Sequence, residues 1–442
     1  MAALNTPLST DAKTIVEETK NYSLFTWMAQ KDANPIPVKD GKGCWYTDYE
    51  GQKWFDLGNM LVCVNIGFGQ QKVVDAMAEQ ATAIPYVKTQ EATAIRAALS
   101  KKMIEEIAPK GMFGKVLFTL AGADANEYAI KLAKKITGRV KIFSQYYSYH
   151  GSTYAASNLC GDPQRTAADP KIPGFVKFFG PSWQKCPIKF ATEEEYTDFL
   201  LNMLEQQIIC EGPETIAAIF LESIPGSSVA VNLPPVGYYE KLRKICDKYG
   251  ILLVIDEVMS GFGRSGKMFS FEHYDYTPDL VTFAKGVTSS YAPLGGVMVR
   301  KELCDKLTDV PLGGGLTYNA HPVSLAAALA NMEIYQEQHL VENSAKMGEI
   351  MYEGLLKLAD KHPSIDRITG KWGLYHGVQC VATLCNPKDG QKIMDILRAH
   401  HMTTLGKEGH FMVSPALVIT EDEVKYVLDT LEEVMTEVDA LL

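Results

Sequence analysis

The 442-residue sequence lacks the patterns that mark membrane-spanning, secreted and nucleic-acid-binding proteins. Its longest strand-like apolar run, Ile216–Leu221, is far shorter than the roughly 20 residues of a membrane helix. The N-terminal segment has no basic start followed by an apolar core, so no signal peptide is expected. A net charge of −10 without any lysine or arginine run disfavours a nucleic-acid partner. We therefore expect neither a membrane nor a nucleic-acid partner.

The nine cysteines and nine histidines lack the spacings that bind metals. No cysteines are spaced CxxC, and no histidines form HExxH. An odd number of scattered cysteines is typical of reduced thiols in a cytosolic protein. The sequence thus predicts a cytoplasmic location and no bound metal.

Short apolar runs alternate with amphipathic helical stretches between about residue 67 and residue 320. Several runs are apolar throughout, as expected of strands buried on both faces of a largely parallel sheet. This alternation predicts an open α/β sheet, with helices over Asn126–Thr137 and Tyr238–Tyr249 that end at glycines. The predicted strands are Val116–Thr119, Lys141–Ser144, Val176–Phe179, Ile216–Glu222, Ile251–Glu257, Leu280–Lys285 and Gly295–Arg300.

The pattern divides the chain into three parts. Residues 67–320 are expected to form a large domain around the sheet. Residues 321–442 contain long helical patterns and a few strand-like pieces, which predicts a smaller α+β domain with a last helix over Glu421–Leu442. Residues 1–66 mix a helical start with short strands, and we expect this segment to pack with the small domain.

Four features are expected at the carboxyl ends of strands, where open α/β sheets bind ligands. Lys285 ends the run PDLVTFAK, and Asp256 ends LLVID one strand–helix–strand step earlier. The small residues 121–123 precede an amphipathic helix, whose N-terminus can bind an anion. The aromatic cluster QYYSYHG, with His150, follows another strand. Taken singly, these also fit an exposed lysine, a helix cap, an ordinary helix start and core aromatics.

Together the four features match the needs of one cofactor. A pyridine aldehyde phosphate requires an anion site, a flat apolar face, a carboxylate and a lysine. The lysine amine bonds to the aldehyde, and burial that lowers its pKa makes the amine nucleophilic. The carboxylate keeps the ring nitrogen protonated, so that the ring can accept electrons. The sequence therefore predicts pyridoxal 5′-phosphate (PLP) as cofactor.

Three stretches also carry a family resemblance: LVIDEVMSGFGRSGKMF, PDLVTFAKGV and GGLTYNAHP. They closely resemble the signature of class III (subgroup II) aminotransferases of PLP fold type I, over essentially the whole chain. The resemblance implies an α/β fold in which a large domain with a seven-stranded, mostly parallel sheet is joined to a smaller α+β domain. It also implies that the protein is an enzyme, an aminotransferase.

The resemblance implies specific roles around the cofactor ring. Lys285 would be the catalytic lysine bonded to the cofactor, and Asp256 the catalytic partner of the ring nitrogen. Val258 would pack on one face of the ring, and Tyr149 would stack on the other.

The phosphate contacts implied by the resemblance include one departure from the family pattern. Gly122 and Ala123 would hold the phosphate through backbone N–H groups, although family members usually have serine or threonine where Ala123 stands. Thr317 would reach the phosphate of the neighbouring subunit, which makes a homodimer with shared sites the catalytic unit. The stretch GHFMVSPALVIT, residues 409–420, lacks the arginine that often holds the substrate α-carboxylate.

Further segments look like the taurine branch of the family, among them LFTWMAQ, AGADANE, YYSYHG and LCGDPQR. This resemblance suggests Trp27 and Arg165 as the ends of a substrate pocket, because arginine presents a planar fork to a sulfonate or carboxylate. Trp27 as a core residue and Arg165 as a surface ion pair are the ordinary alternatives. Arg264 is interpreted as structural, and Glu222 as a residue that positions a neighbour or gates an arginine.

The predicted reaction transfers the amine of an ω-amino acid, with taurine giving sulfoacetaldehyde as first choice, to a 2-oxo acid. The expected acceptor is 2-oxoglutarate or pyruvate. Two alternatives keep the same fold: another donor such as β-alanine or 4-aminobutyrate, and an aminomutase or epimerase. A nucleotide-binding dehydrogenase is disfavoured, because GFGRSG, the near match to GxGxxG, follows an acidic pair and not a bare strand end.

Overall fold

The computed structural model of the protein describes residues 4–162, 171–182, 186–226 and 231–442. Within these ranges fifteen strands form one sheet of seven strands and two sheets of four. The strands are β1 Val38–Lys42, β2 Trp45–Asp48, β3 Lys53–Asp56, β4 Phe113–Thr119, β5 Lys141–Gln145, β6 Phe175–Phe178, β7 Ile216–Glu222, β8 Leu252–Asp256, β9 Leu280–Phe283, β10 Gly295–Arg300, β11 Ile365–Thr369, β12 His376–Cys380, β13 Met402–Thr403, β14 Gly406–Lys407 and β15 His410–Val413.

The seven-stranded sheet confirms the predicted α/β fold. Its spatial order is β4-β10-β9-β8-β7-β5-β6, and β10 runs antiparallel to both of its neighbours while the other pairings are parallel. Alternate residues of β7 and β8 enter two separate apolar clusters, which explains why both runs are apolar throughout. One cluster takes Ile219, Leu221, Leu253 and Ile255, and the other takes Ala218, Phe220, Leu252 and Val254.

Eleven α-helices of six or more residues lie in the described ranges. Tyr238–Tyr249 has the predicted bounds, and Gly250 ends it with a φ of 63°, a left-handed conformation that glycine adopts without steric cost. The helices are α1 Ala12–Tyr22, α2 Gln71–Ala83, α3 Ala94–Lys102, α4 Gly122–Thr137, α5 Tyr154–Leu159, α6 Glu193–Glu211, α7 Tyr238–Tyr249, α8 Pro322–Glu337, α9 Leu340–Lys361, α10 Pro387–Ala399 and α11 Glu421–Asp439.

Helix α4 begins at Gly122, four residues before the predicted start, so that prediction was wrong at this end. The cause is Asp124, whose Oδ2 accepts hydrogen bonds from the backbone N–H groups of Leu120 and Ala121 at 3.1 and 3.0 Å. A carboxylate in the first turn stabilises a helix start. The small residues therefore form the first turn of the helix itself.

One of the two smaller sheets joins strands from both ends of the chain, and the other contains C-terminal strands. The order of one is β1-β2-β3-β13, in which Phe55 of β3 pairs in parallel with Met402 of β13. The order of the other is β11-β12-β15-β14. The β3–β13 pairing is the kind of contact expected if the N-terminal segment packs with the C-terminal part, while the three domain boundaries stay a prediction.

No helix in the described ranges is long and apolar enough to cross a membrane. The same ranges contain no group of three or more histidine, cysteine, aspartate or glutamate side chains placed to hold a metal ion. All nine cysteines are free thiols.

Candidate active site

The predicted carboxylate and lysine lie at the same edge of the central sheet. Parallel pairing places Asp256 opposite Thr282 and Glu222 opposite Asp256, so the ends of β7, β8 and β9 lie side by side. The predicted strand through Lys285 was too long, because β9 ends at Phe283. Lys285 instead begins a 3₁₀ turn with a φ of 43°, which is uncommon for a residue other than glycine.

A cavity of about 1320 Å³ opens at this edge. Its wall combines the strand ends with the N-terminus of α4, residues 26–28 and the hairpin β14–β15. Large concave cavities with a few polar groups are the usual place for a cofactor or small ligand. The predicted site residues that line it are Trp27, Gly122, Ala123, Tyr149, Asp256, Val258 and Lys285.

Asp256 is held by three hydrogen-bonding neighbours. Its Oδ2 accepts from Asn126 Nδ2 at 2.8 Å and lies 2.8 Å from His150 Nδ1, while its Oδ1 accepts from the Val258 N–H at 2.9 Å. Asn126 is oriented in turn by Thr282, whose hydroxyl donates to the amide oxygen at 2.9 Å. Donors on both oxygens stabilise the ionised carboxylate in a buried position. These contacts hold the Asp256 carboxyl group in one orientation.

Lys285 is a partly buried lysine in the cavity wall. Removal from water lowers the pKa of its ammonium, while the negative charges of Asp256 and Glu222 act in the opposite direction. A lowered pKa raises the fraction of neutral amine, which is the nucleophilic form. The alternative of an exposed lysine is therefore wrong.

Tyr149 is held from two sides. Glu222 Oε1 accepts from the Tyr149 backbone N–H at 2.9 Å, so Glu222 positions a neighbour as predicted. Burial raises the pKa of the Glu222 carboxyl to about 7. The Trp27 ring meets the Tyr149 ring edge to face at a centroid distance of 5.4 Å. Because Trp27 is 61% exposed, the alternative of a core tryptophan is wrong.

The N-terminus of α4 faces the same cavity, and its backbone at Gly122 lies close to Val258. A Cβ on Gly122 would lie 2.8 Å from Val258 Cγ1, so the two residues are in contact and the position accepts only glycine without a shift. The first N–H groups of a helix have no partner within the helix, and the helix dipole favours an anion there. Gly122 and Ala123 therefore provide backbone donors, whereas the methyl of Ala123 adds no hydroxyl.

The structure confirms the prediction that Arg264 has a structural role. It is fully buried, and its guanidinium donates to the carbonyls of Leu374 and Pro415 at 2.9 and 2.6 Å and to Asn65 Oδ1 at 2.9 Å. The arginine thus ties the loop after β8 to the C-terminal part of the chain.

One predicted residue, Thr317, does not join the site in the described chain. Thr317 is exposed and lies outside the cavity wall, and its carbonyl accepts from the Tyr86 hydroxyl at 2.8 Å. Arg165 lies outside the described residues. Their predicted roles stay predictions.

The structure adds residues that sequence reasoning did not assign. Asn126 had a usable signal, because it is a polar residue on the buried face of an amphipathic helix, beside Ala129 and Ala133. His150 was noted only as part of an aromatic cluster. Lys407 and His410 line the cavity from a distant part of the chain, and no local pattern identifies them.

This arrangement fits pyridoxal 5′-phosphate. The start of α4 lines the cavity, and the free N–H groups of a helix N-terminus suit a phosphate. The fixed carboxylate of Asp256 suits a protonated ring nitrogen, and Lys285 in the same wall suits an aldehyde carbon. Val258 and Tyr149 line the same cavity, and their contact with the two faces of the ring stays a prediction.

Comparison with known proteins agrees with this fit. The family model for class-III aminotransferases matches residues 27–435. A taurine–pyruvate aminotransferase of Bilophila wadsworthia is 33% identical over 386 residues, which cover 84% of this chain and 83% of the relative. A diaminobutyrate–2-oxoglutarate transaminase of Halomonas elongata is 34% identical over 364 residues, 77% of this chain and 76% of the relative.

A solved structure shows the same fold. The taurine:2-oxoglutarate aminotransferase of Bifidobacterium kashiwanohense, solved with PLP and glutamate, superposes with a TM-score of 0.92 at 37% identity. The match covers 97% of this chain and 98% of that one. The chain therefore belongs to the class III aminotransferases, PLP-dependent enzymes that move an amine from a donor to a 2-oxo acid.

Proposed function

We propose that this aminotransferase takes its amine from an ω-amino acid with a strong distal anion, taurine first, and gives it to 2-oxoglutarate or pyruvate. The observation that carries the aminotransferase chemistry is the presence of Lys285 and Asp256 in one cavity wall. The choice of donor is supported by the taurine aminotransferases among its relatives.

The residues around the cavity have separate tasks in the proposed reaction. The bound cofactor supplies an electron-accepting ring and an aldehyde that takes up the amine. Lys285 Nζ removes the proton from the amine-bearing carbon of the donor and returns one to the carbonyl carbon of the acceptor. Asp256 keeps the ring nitrogen protonated, and Asn126 and His150 hold Asp256 in place.

The decisive experiment is a donor and acceptor panel followed by product formation. Taurine, β-alanine, 4-aminobutyrate and 2,4-diaminobutyrate are compared with pyruvate and with 2-oxoglutarate. The diamine is included because of the Halomonas elongata relative. We expect taurine to give the highest kcat/KM. A panel in which taurine is inactive and another donor is efficient would refute the proposed donor.

An aminomutase or epimerase differs from a transaminase when the donor is supplied alone. A transaminase stops after one equivalent per site, because the aminated cofactor needs an acceptor. An isomerising enzyme continues to turn over. We expect a single equivalent of aldehyde product, measured by rapid quench.

Arg165→Ala is expected to lower kcat/KM for taurine while an uncharged primary amine is affected little. The loss of a charge-assisted hydrogen bond in a desolvated site costs roughly 2–4 kcal/mol, which is about 30- to 1,000-fold. Arg165→Lys is the matched variant, and it should rescue poorly because a point charge does not reproduce the planar fork. If charged and uncharged donors slow equally, Arg165 is structural.

We also propose a homodimer with shared sites. The support is the exposed position of Thr317 outside the cavity of its own chain, together with the family resemblance. Thr317 would then contact the phosphate bound in the partner subunit.

Mixed dimers test the shared site. In a dimer of one Lys285→Ala and one Thr317→Ala subunit, a shared arrangement puts both defects in one site and leaves the other intact. Each mixed dimer should have about half of the activity of a native dimer, because one of its two sites is intact. The two single-variant homodimers are the controls. Mixtures no more active than these controls would contradict sharing.

A cytoplasmic location is the last part of the proposal. Its support is the set of nine free cysteines, which is typical of proteins kept in a reducing compartment. Fractionation of cells that express the native gene would test it.

A further inference from the structure

Lys407 is, apart from Lys285, the one lysine or arginine among the described residues of the cavity wall. The wall also contains two carboxyl groups, those of Glu222 and Asp256. A 2-oxo acid acceptor brings a further carboxylate into this space, and a desolvated anion needs a cationic or hydrogen-bonding partner. Lys285 must remain available for the cofactor and the proton, so it cannot serve as a fixed anchor.

A short hairpin holds Lys407 at the wall. Lys407 of β14 pairs directly with His410 of β15, and both residues line the cavity. The two residues between them, Glu408 and Gly409, have φ values of 49° and 78°. Positive φ at both central positions is the pattern of a tight two-residue turn whose twist matches the strands. The hairpin therefore fixes the backbone of Lys407.

Asp162 holds the other end of the lysine. Its Oδ2 lies 3.1 Å from Lys407 Nζ, and Asp162 is only 4% exposed. The pair joins β14 to the segment just after α5, 245 positions earlier in the chain. An ammonium has three donors, so it can bind a second carboxylate while the first stays in place or is exchanged. Lys407 is thus a positioned cation at the wall of the cavity.

We propose that Lys407 binds the carboxylate of the 2-oxo acid acceptor. The inference rests on the proposed function, and it adds a residue on β14 that is separate from the donor site assigned to Arg165. The ligand class is a 2-oxo monocarboxylate or dicarboxylate, recognised by its carboxylate next to the carbonyl.

The kinetic test compares two acceptors with one uncharged primary amine as donor, so that the acceptor alone carries an anion. Pyruvate is the charged acceptor, and propanal is the uncharged one. Lys407→Met should raise KM for pyruvate about 10- to 100-fold and leave KM for propanal within about threefold, since only pyruvate loses a charge-assisted contact. Lys407→Arg should keep the low KM for pyruvate.

Three further variants separate charge from packing. Lys407→Met leaves Asp162 buried without this lysine, so the double variant Lys407→Met/Asp162→Asn is made as well and should show the same selective rise. Asp162→Asn alone should keep or lower KM for pyruvate. Lys110→Met, at an exposed position away from the cavity, is the matched surface control and should change neither acceptor.

A binding measurement keeps this inference independent of the proposed donor. Calorimetric titration of pyruvate into the PLP-loaded protein needs no turnover, and Lys407→Met should weaken it at least about tenfold. A native protein that is inactive with taurine but binds pyruvate through Lys407 would contradict only the proposed donor. If Lys407→Met affects pyruvate and propanal equally, or leaves pyruvate binding unchanged, Lys407 is not the carboxylate anchor.

Discussion

Lys285→Ala should remove nearly all turnover and the covalent attachment of the cofactor. The variant lacks both the amine that bonds to the aldehyde and the group that moves the proton, so kcat should fall by at least about 1,000-fold. Borohydride reduction of the native, PLP-loaded protein should fix the cofactor on the peptide that contains Lys285, as detected by mass spectrometry. The alanine variant should show no fixed cofactor. An undiminished rate in this variant would refute the assignment.

Lys177 provides the matched control for this experiment. Burial lowers the pKa of its ammonium to about 7, yet it lies outside the cavity wall. Its Nζ donates to Ser144 Oγ and to the carbonyls of Asn158 and Leu159 at 2.6 to 2.8 Å. We expect Lys177→Met to lose thermal stability but to retain fixation of the cofactor on Lys285. A lowered pKa therefore does not by itself identify a catalytic lysine.

Asp256→Asn should bind the cofactor but lose most activity. An amide cannot keep the ring nitrogen protonated, and removing one partner of a buried charged pair costs about 3–5 kcal/mol, roughly 150- to 5,000-fold in kcat/KM. Asn126 donates to the same oxygen of Asp256 that His150 contacts, so the introduced carbonyl should face Asn126. Its NH₂ would then meet the Val258 N–H, which should lower the melting temperature as well.

Asp279→Asn is the control that distinguishes a loss of protein stability from a loss of catalytic activity. Asp279 is 1% exposed and pairs with Arg243 and Arg300 at 2.7 and 2.8 Å, but it is not part of the cavity wall. This variant should melt at a lower temperature and keep kcat per folded molecule. If Asp256→Asn and Asp279→Asn lose similar activity, Asp256 has no special role. Retention of cofactor after dialysis, read by absorbance, is the measurement that does not depend on turnover.

The sequence predicted the strands and the common position of Asp256 and Lys285 at one sheet edge well, because their signals are local. A strand buried on both faces has a continuous apolar run, such as Ile216–Leu221, and the bounds of this strand, Ile216–Glu222, were predicted correctly. Asp256 and Lys285 stand out as charges directly after such runs. The ends of helices and strands were less predictable where side-chain contacts or turns set them. Helix α4 starts earlier than predicted because of Asp124, and β9 ends earlier because a turn begins at Lys285.

The supporting residues could not be predicted from local pattern because long-range pairing brings them in. Asn126 and Asp256 are 130 positions apart, and His150 and Asp256 are 106 apart. Lys407 reaches the cavity because the C-terminal hairpin lines the same space as the edge of the large sheet. Such contacts depend on the three-dimensional arrangement of elements, whereas periodicity reports only which face of one element is buried.

The pairing of β3 with β13 sets an order of events during synthesis. Phe55 leaves the ribosome long before its neighbour Met402, and at about 5–20 residues per second the interval is roughly 20 to 70 s. Through that interval the outer edge of β3 has no strand beside it, and its backbone donors and acceptors are open to chaperones, proteases or another nascent chain. The four-stranded N-terminal sheet is therefore completed late, and C-terminal truncations that remove β13 should leave a chain prone to aggregation.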